Sequence, residues 1–390
     1  MSRANLLTAL GVHRKEDVIS NLLAHCYNHS WTLRPHLLRA LHVPQTPALL
    51  GGQAHTRVGS GDSGVPDVVI VGRESDKHAI VVIENKLDAA EGDKQTERYA
   101  SPACRARLEK KWNLIPSLVE VHYRYLTLFP GELPEAKAFQ PVSYESFLGI
   151  NWDGEHDPSS WVAEFMSAWL ELLRRFYKSA ELKDDANLFA ALGCARENEL
   201  DSGFLLFCRF MESIDLPQGM VLKGSQRQSR EGRRYYLTHF RKKAWAPSEM
   251  FRDGAKWRLD PDTCFDIHVQ PQYDVLGHKL VVYLHYETNP YQTLKWLESH
   301  NNLDPSDYAA YKERRAEFAR YFAFHAPKEM VLRGRNNQIG VMTCPWQEFS
   351  VAAARQELSH IAGHIAHAVD ITLDALRMTS PEQRGGSELF

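Results

Sequence analysis

The chain has 390 residues, with 46 Lys and Arg against 49 Asp and Glu and a formal net charge of -3. Its hydrophobic share of 44% and charged share of 24% are those of an ordinary globular protein, which excludes global disorder and collagen-like or coiled-coil fibres. The length predicts two domains at roughly 150 residues each, and no apolar run approaches the ~18 residues that span a bilayer, so no membrane partner is expected.

Residues 15–31 carry Val18, Ile19, Leu22, Leu23 and Cys26 at helical spacing behind an acidic first turn, which predicts a helix. A second amphipathic piece follows at 35–41. The Gly-rich stretch 51–64 then predicts a loop with a short strand near 55–58. Two β-branched runs, 67–71 and 79–83, are bounded by turn signals and read as buried strands. A helix is predicted over 91–106, a strand over 125–129 and a helix over 157–177 with Ser159 or Ser160 as its N-cap. Strands interleaved with helices predict an α/β domain over residues 1–180. Beyond a polar break at 178–187, an α+β domain is predicted over 181–380. It comprises a helix at 199–211, a hairpin at 220–240 turning at Arg230-Glu231-Gly232, strands at 265–269 and 279–286, and helices at 305–324 and 347–378. Residues 381–390 are predicted to be a disordered tail.

The six cysteines, Cys26, Cys104, Cys194, Cys208, Cys264 and Cys344, form no C-x-x-C pair. That argues against a zinc ribbon or a disulfide scaffold and fits a reducing compartment. Residues 1–11 lack a cleavage-site pattern, so no signal peptide is expected and a cytoplasmic protein is.

The segment carrying chemistry is 64–99, GVPDVVIVGRESDKHAIVVIENKLDAAEGDKQTERY. Pro66 opens a strand, where a missing N–H is tolerated, and Asp67 sits at the strand entrance. On the next strand Glu84 and Lys86 are two apart and share a face, while Asn85 points the other way. Burying such charges beside so apolar a run is costly unless they are paired or bind metal. Carboxylates from neighbouring strands repel, and a divalent cation relieves the repulsion; oxygen ligation suits Mg²⁺ or Mn²⁺ rather than zinc. A nearby lysine can orient a water and stabilise charge on a phosphoryl oxygen. The alternative is a solvated ion pair at a strand end.

Pro66-Asp67 followed after sixteen residues by Glu84-Asn85-Lys86 resembles the PD-(D/E)XK nuclease superfamily. Gln95-Thr-Glu-Arg-Tyr99 is similar to the Q-x-x-x-Y motif of its RecB-like branch, with Gln95 and Tyr99 on one helical face. Glu16 resembles the acid that many members carry on the first core helix; the adjacent Asp17 is the other candidate for that place. The resemblance covers roughly residues 15–150. It implies a restriction-endonuclease-like αβββαβ core with helices on both faces of a mixed sheet, and a Mg²⁺-dependent nuclease in which Mn²⁺ substitutes. The implied metal ligands are Asp67, Glu84, Glu16 and the backbone carbonyl of Asn85. Lys86 would act on the attacking water, and Gln95 and Tyr99 would support the site or the DNA. Asn85 departs from the apolar residue more usual there. Stand-alone members with this layout are often bacterial restriction or phage-defence effectors. DNA is the expected partner, with RNA and a homo-oligomer left open.

Residues 221–243 hold eight Lys and Arg, among them Lys223, Arg227, Arg230, Arg233 and Arg234, against one Glu. Interleaved with Tyr235, Tyr236 and Phe240, they could grip phosphates and stack on bases, or simply face water. A nucleic-acid-binding module without cleavage is therefore a second reading. His360, His364 and His367 share a helix face but lack an H-E-x-x-H pattern. His285 and Glu287 lie on one side of a strand as a polar patch with no assignable reaction. G-x-S-x-G, G-x-x-x-x-G-K-[ST] and G-x-G-x-x-G are all absent.

Overall fold

The computed structural model describes residues 5–61, 64–75, 77–87, 91–92, 94–151, 160–193, 200–334, 337–343 and 348–378. The predicted tail, and the residues around Ser159, lie outside them. The chain forms two compact units. Unit one comprises Met1–Glu181 and Cys194–Arg209; unit two comprises Leu182–Gly193 and Phe210–Phe390. No helix among the described residues is long and apolar enough to cross a membrane.

Unit one is a mixed α/β unit built on a mixed, open five-stranded sheet with helices. Besides short helices at Leu6–Ala9, Arg34–Ala40 and Pro47–Leu50, its main elements are α1 (Glu16–His29), β1 (Gln53–Thr56), β2 (Val68–Glu74), β3 (Lys77–Lys86), α2 (Gln95–Tyr99), α3 (Pro102–Lys111), β4 (Val119–Thr127), β5 (Gln140–Ser143) and α4 (Ser160–Ser179). The strands lie in the order β1-β2-β3-β4-β5. β1, β2 and β3 are antiparallel neighbours, whereas β3-β4 and β4-β5 are parallel. A parallel pair needs a crossover, and the α2–α3 segment supplies it.

β3 is buried from Ala79 to Lys86 because both of its faces are covered, which is why that run is continuously apolar rather than alternating. Val69, Val71, Ile80 and Val82 pack on one face with Tyr99, Cys104 and Leu108 of α2 and α3. α1 packs on the other, and its Glu16 and Asp17 occupy a first turn whose Lys15 gives no side-chain cap, so charge does the capping there. The single helix predicted over 91–106 is broken. Ser101 accepts from the Cys104 amide and starts a new helix at Pro102, a local stop-and-cap that apolar periodicity does not register. The strand predicted at 125–129 begins earlier, at Val119, where its outer half is only partly buried.

Unit two is an antiparallel sheet with helices. Its strands are β6 (Met220–Arg230), β7 (Arg233–Lys242), β8 (Phe265–Asp274), β9 (Lys279–Thr288), β10 (Val331–Leu332) and β11 (Gln338–Thr343), ordered β10-β11-β9-β8-β7-β6. Its long helices are α5 (Pro305–His325) and α6 (Val351–Met378). The β6–β7 turn is Glu231-Gly232, both left-handed at φ 51° and 76°, as a tight two-residue hairpin requires. One sheet face is apolar, with Phe240, Ile267, Val269, Leu284 and Tyr286 buried and Tyr286 packed on Tyr311 and Phe318 of α5. The register places Arg241, Asp266, His268, Gln270, Tyr283, His285 and Glu287 on the opposite face.

Gly72 in β2 marks where the Pro47–Leu50 helix lies on the sheet, since a Cβ there would run into the Ala48 carbonyl. Gly72→Ala should therefore cost ~1–3 kcal/mol, read as an earlier midpoint in urea unfolding; an unchanged midpoint would contradict this close approach.

Candidate active site

Val68 of β2 pairs with Ile83 of β3, so the antiparallel register continued by one residue sets Asp67 across from Glu84. Asp67 Oδ2 accepts the Asn85 amide at 2.8 Å, which pins the acid to the neighbouring strand. The Asp67 and Glu84 carboxyls lie close enough for the Asp67 charge to act on Glu84. Lys86 Nζ lies 2.6 Å from Glu84 Oε1 and 3.7 Å from Glu16 Oε2. Glu16 Oε1 accepts the Leu87 amide at 2.9 Å, bringing the start of α1 over the end of β3. Asp17 instead faces outward and pairs with Arg57 at 2.6 Å. Glu16, Asp67, Glu84 and Lys86 thus meet at one end of the sheet.

The charges do not balance: three carboxyls face one ammonium, and Glu84 is wholly buried. Burial is the first cause that pushes the Glu84 carboxyl up to about 8, and the Asp67 charge adds to it against the pull of Lys86. Asp67 is raised too, by burial above all, with the Asn85 amide and Lys86 opposing. Burial alone would lower the Lys86 pKa, but Glu84, Glu16 and Asp67 outweigh it and the ammonium is held more tightly than usual. Glu84 Oε1 has the ammonium beside it, yet neither Glu84 oxygen receives a well-directed hydrogen bond. Buried, under-satisfied carboxylate oxygens facing another carboxylate are a donor set that fits a small hard divalent cation.

Asn85 faces away, as the strand alternation predicts. Its Nδ2 donates to the Glu16 carbonyl at 3.2 Å and to Ser20 Oγ at 3.0 Å, and its Oδ1 accepts from the Tyr144 hydroxyl at 2.9 Å. The polar residue in an apolar place is therefore fully employed, clamping α1 to the sheet.

Gln95 and Tyr99 sit next to the acid's entrance. Gln95 Nε2 donates to the Tyr99 hydroxyl at 3.0 Å, and that hydroxyl donates to the Val65 carbonyl at 3.0 Å. Tyr99 is 2% exposed, so it holds the lead-in to Asp67 from inside and its ring does not face a nucleic acid. Several supporting groups carry no signal in the sequence. Glu91 accepts from the Thr96 amide at 2.6 Å and the Glu135 amide at 2.9 Å, capping α2 where Lys94 does not. Ser20 and Tyr144 hold Asn85 over long sequence separations that leave no local pattern.

In unit two, Lys223, Arg230, Arg233 and Arg234 are exposed and Arg227 is partly so. Arg241 of that segment pairs with Asp266, and Lys242 with Asp370 at 2.6 Å. Arg233 is 3.7 Å from Asp274. His360, His364 and His367 are all exposed on α6.

No family model matches this chain, and comparison with curated proteins and with solved structures finds no match.

The raised Glu84 pKa has a stability consequence. A carboxyl whose folded pKa is about 8 against an ordinary 4.5 binds its proton more tightly when folded. Its contribution is fully present below 4.5 and is lost as pH rises through about 8. In EDTA, the melting temperature should fall across that window, and Glu84→Gln should flatten the fall; identical profiles would contradict the assignment.

Proposed function

We propose that unit one is a metal-dependent nuclease that hydrolyses DNA phosphodiester bonds. The observation that carries the reading is the meeting of Asp67, Glu84 and Lys86 at the adjoining ends of β2 and β3. With the Arg34–Ala40 and Pro47–Leu50 helices and β5 taken as additions, the order helix, three strands, helices and strand, with β3 and β4 parallel, is consistent with an αβββαβ core and supports the resemblance read from the motifs.

Asp67, Glu84 and the backbone carbonyl of Asn85 are the groups that would hold Mg²⁺ or Mn²⁺, with Glu16 at the margin. When bound, such an ion supplies Lewis acidity and offsets the charge of the scissile phosphate. The protein's own groups do the rest. Lys86, held beside Glu84 and Glu16, would orient the attacking water and offset charge growing on a phosphoryl oxygen. Glu16 is itself anchored by the Leu87 amide and flanks the ammonium, fixing where Lys86 points. Asp67 is kept in line by the Asn85 amide. Water oxygen bonds to phosphorus as the P–O3′ bond breaks; the water gives up a proton to solvent and the leaving 3′-oxygen takes one from solvent, giving a 5′-phosphate and a 3′-hydroxyl. The β6–β7 hairpin would contribute phosphate contacts through Arg230, Arg233 and Arg234, which extend its tip.

Supercoiled plasmid incubated with Mg²⁺ should be cut by the wild type and at least ~10²-fold more slowly by Asp67→Ala and Lys86→Ala. Equal cutting by all three would sink the proposal; a salt-sensitive gel shift with no cutting in Mg²⁺ or Mn²⁺ would leave a binding module, and cutting confined to RNA would change the substrate. Replacing Arg230, Arg233 and Arg234 together by Ala should reduce the slope of log affinity against log salt by about 2 to 3, at ~0.9 for each phosphate that is no longer neutralised.

A further inference from the structure

We propose that unit two carries a binding site for a zinc-class transition-metal ion made by His268, His285 and Glu287, separate from the acidic site of unit one and independent of the nuclease reading.

His268 and His285 are direct partners across β8 and β9, and Asp266 stands opposite Glu287 one step along the same face. The two imidazoles stack, with centroids 5.2 Å apart and planes 7° from parallel. Each ring is held by a carboxylate two residues away on its own strand. Asp266 Oδ1 lies 3.3 Å from His268 Nδ1, and Glu287 Oε1 lies 3.1 Å from His285 Nδ1. On His268 the Asp266 carboxylate keeps the proton on Nδ1 and leaves a lone pair on Nε2, the arrangement that orients histidine ligands in metal sites, whereas Glu287 is placed to exchange its contact with His285 for an ion.

Both Nε2 atoms are buried and have no hydrogen-bond partner. His268 and His285 are 3% and 7% exposed, so water does not readily satisfy them, and an unpaired buried acceptor costs ~1–3 kcal/mol. Two such acceptors side by side are unusual unless something binds there. Ligand atoms of His268, His285 and Glu287 all lie within 4.8 Å of one another, and rotation of the stacked rings and of the Glu287 side chain would bring the three to one ion.

Asp266 is ion-paired with Arg241 and so serves to orient His268. His239 flanks the group, its ring 4.3 Å from that of His268, but its Nε2 is engaged with Gln270 Oε1 at 3.1 Å. Two imidazoles and one carboxylate favour a borderline ion of the zinc class over Mg²⁺, which prefers oxygen. Three protein ligands leave a fourth position open.

The test uses the full chain, stripped with EDTA, desalted and titrated with Zn²⁺ or with Co²⁺ as a coloured probe. One equivalent should be retained through a second desalting, should resist excess Mg²⁺, and should give the intense visible absorption of four-coordinate Co²⁺. Glu287→Gln, which is isosteric and partly exposed, should weaken binding at least ~10-fold, as should His285→Ala, while Asp67→Ala should leave it intact. Failure of the wild type to retain any equivalent would overturn the proposal without recourse to the variants. Displacement by Mg²⁺, loss in Asp67→Ala, or undiminished uptake in Glu287→Gln and His285→Ala would overturn it as well.

Discussion

An unbalanced group of charges enclosed by apolar strands governs the organisation of unit one. Ile80, Val81, Val82 and Ile83 are each at most 2% exposed, and burying such side chains is worth ~1.5–3 kcal/mol apiece. Removing an ion from water costs several kcal/mol even after relaxation, and pairing recovers only part of it. The apolar half of β3 is therefore what makes it affordable to keep Glu84 and Lys86 at the polar end. Everything nearby manages the remaining repulsion: the Asn85 amide on Asp67, the Leu87 amide on Glu16, and the ammonium between two acids.

The alternation of β3 joins this chemistry to the fold. Glu84 and Lys86 face one side while Asn85 between them gathers Glu16, Ser20 and Tyr144 on the other. Glu16 belongs to both sets, since its backbone carbonyl takes the Asn85 amide group and its side chain reaches Leu87 and Lys86. A disturbance of α1 therefore reaches Lys86 through a single residue. The chain Gln95–Tyr99–Val65 plays the same part for Asp67 from the crossover side.

What was legible in the sequence follows from how local the determinants are. The period-2 and continuous apolar runs revealed β2, β3 and the β6–β7 hairpin, because strand burial and a Glu-Gly turn are written in neighbouring residues. The grouping of Asp67, Glu84 and Lys86 was readable from motif spacing, and the choice between Glu16 and Asp17 was not, because it depends on how α1 is seated on the sheet. Short strands such as β5 and β11 carry too little pattern in their few residues to stand out from loops. The His268–His285 pair was half visible: His285 and Glu287 share a strand, whereas their partner enters only through cross-strand register.

The β6–β7 hairpin holds Arg230 directly opposite Arg233, beside its two left-handed turn residues, with Arg234 next in line. Like charges facing each other across a ladder weaken it. The rung that closes the hairpin therefore carries its own repulsion, which the Asp274 carboxylate 3.7 Å from Arg233 offsets in part, so the ribbon's grip is weakest where its chain reverses.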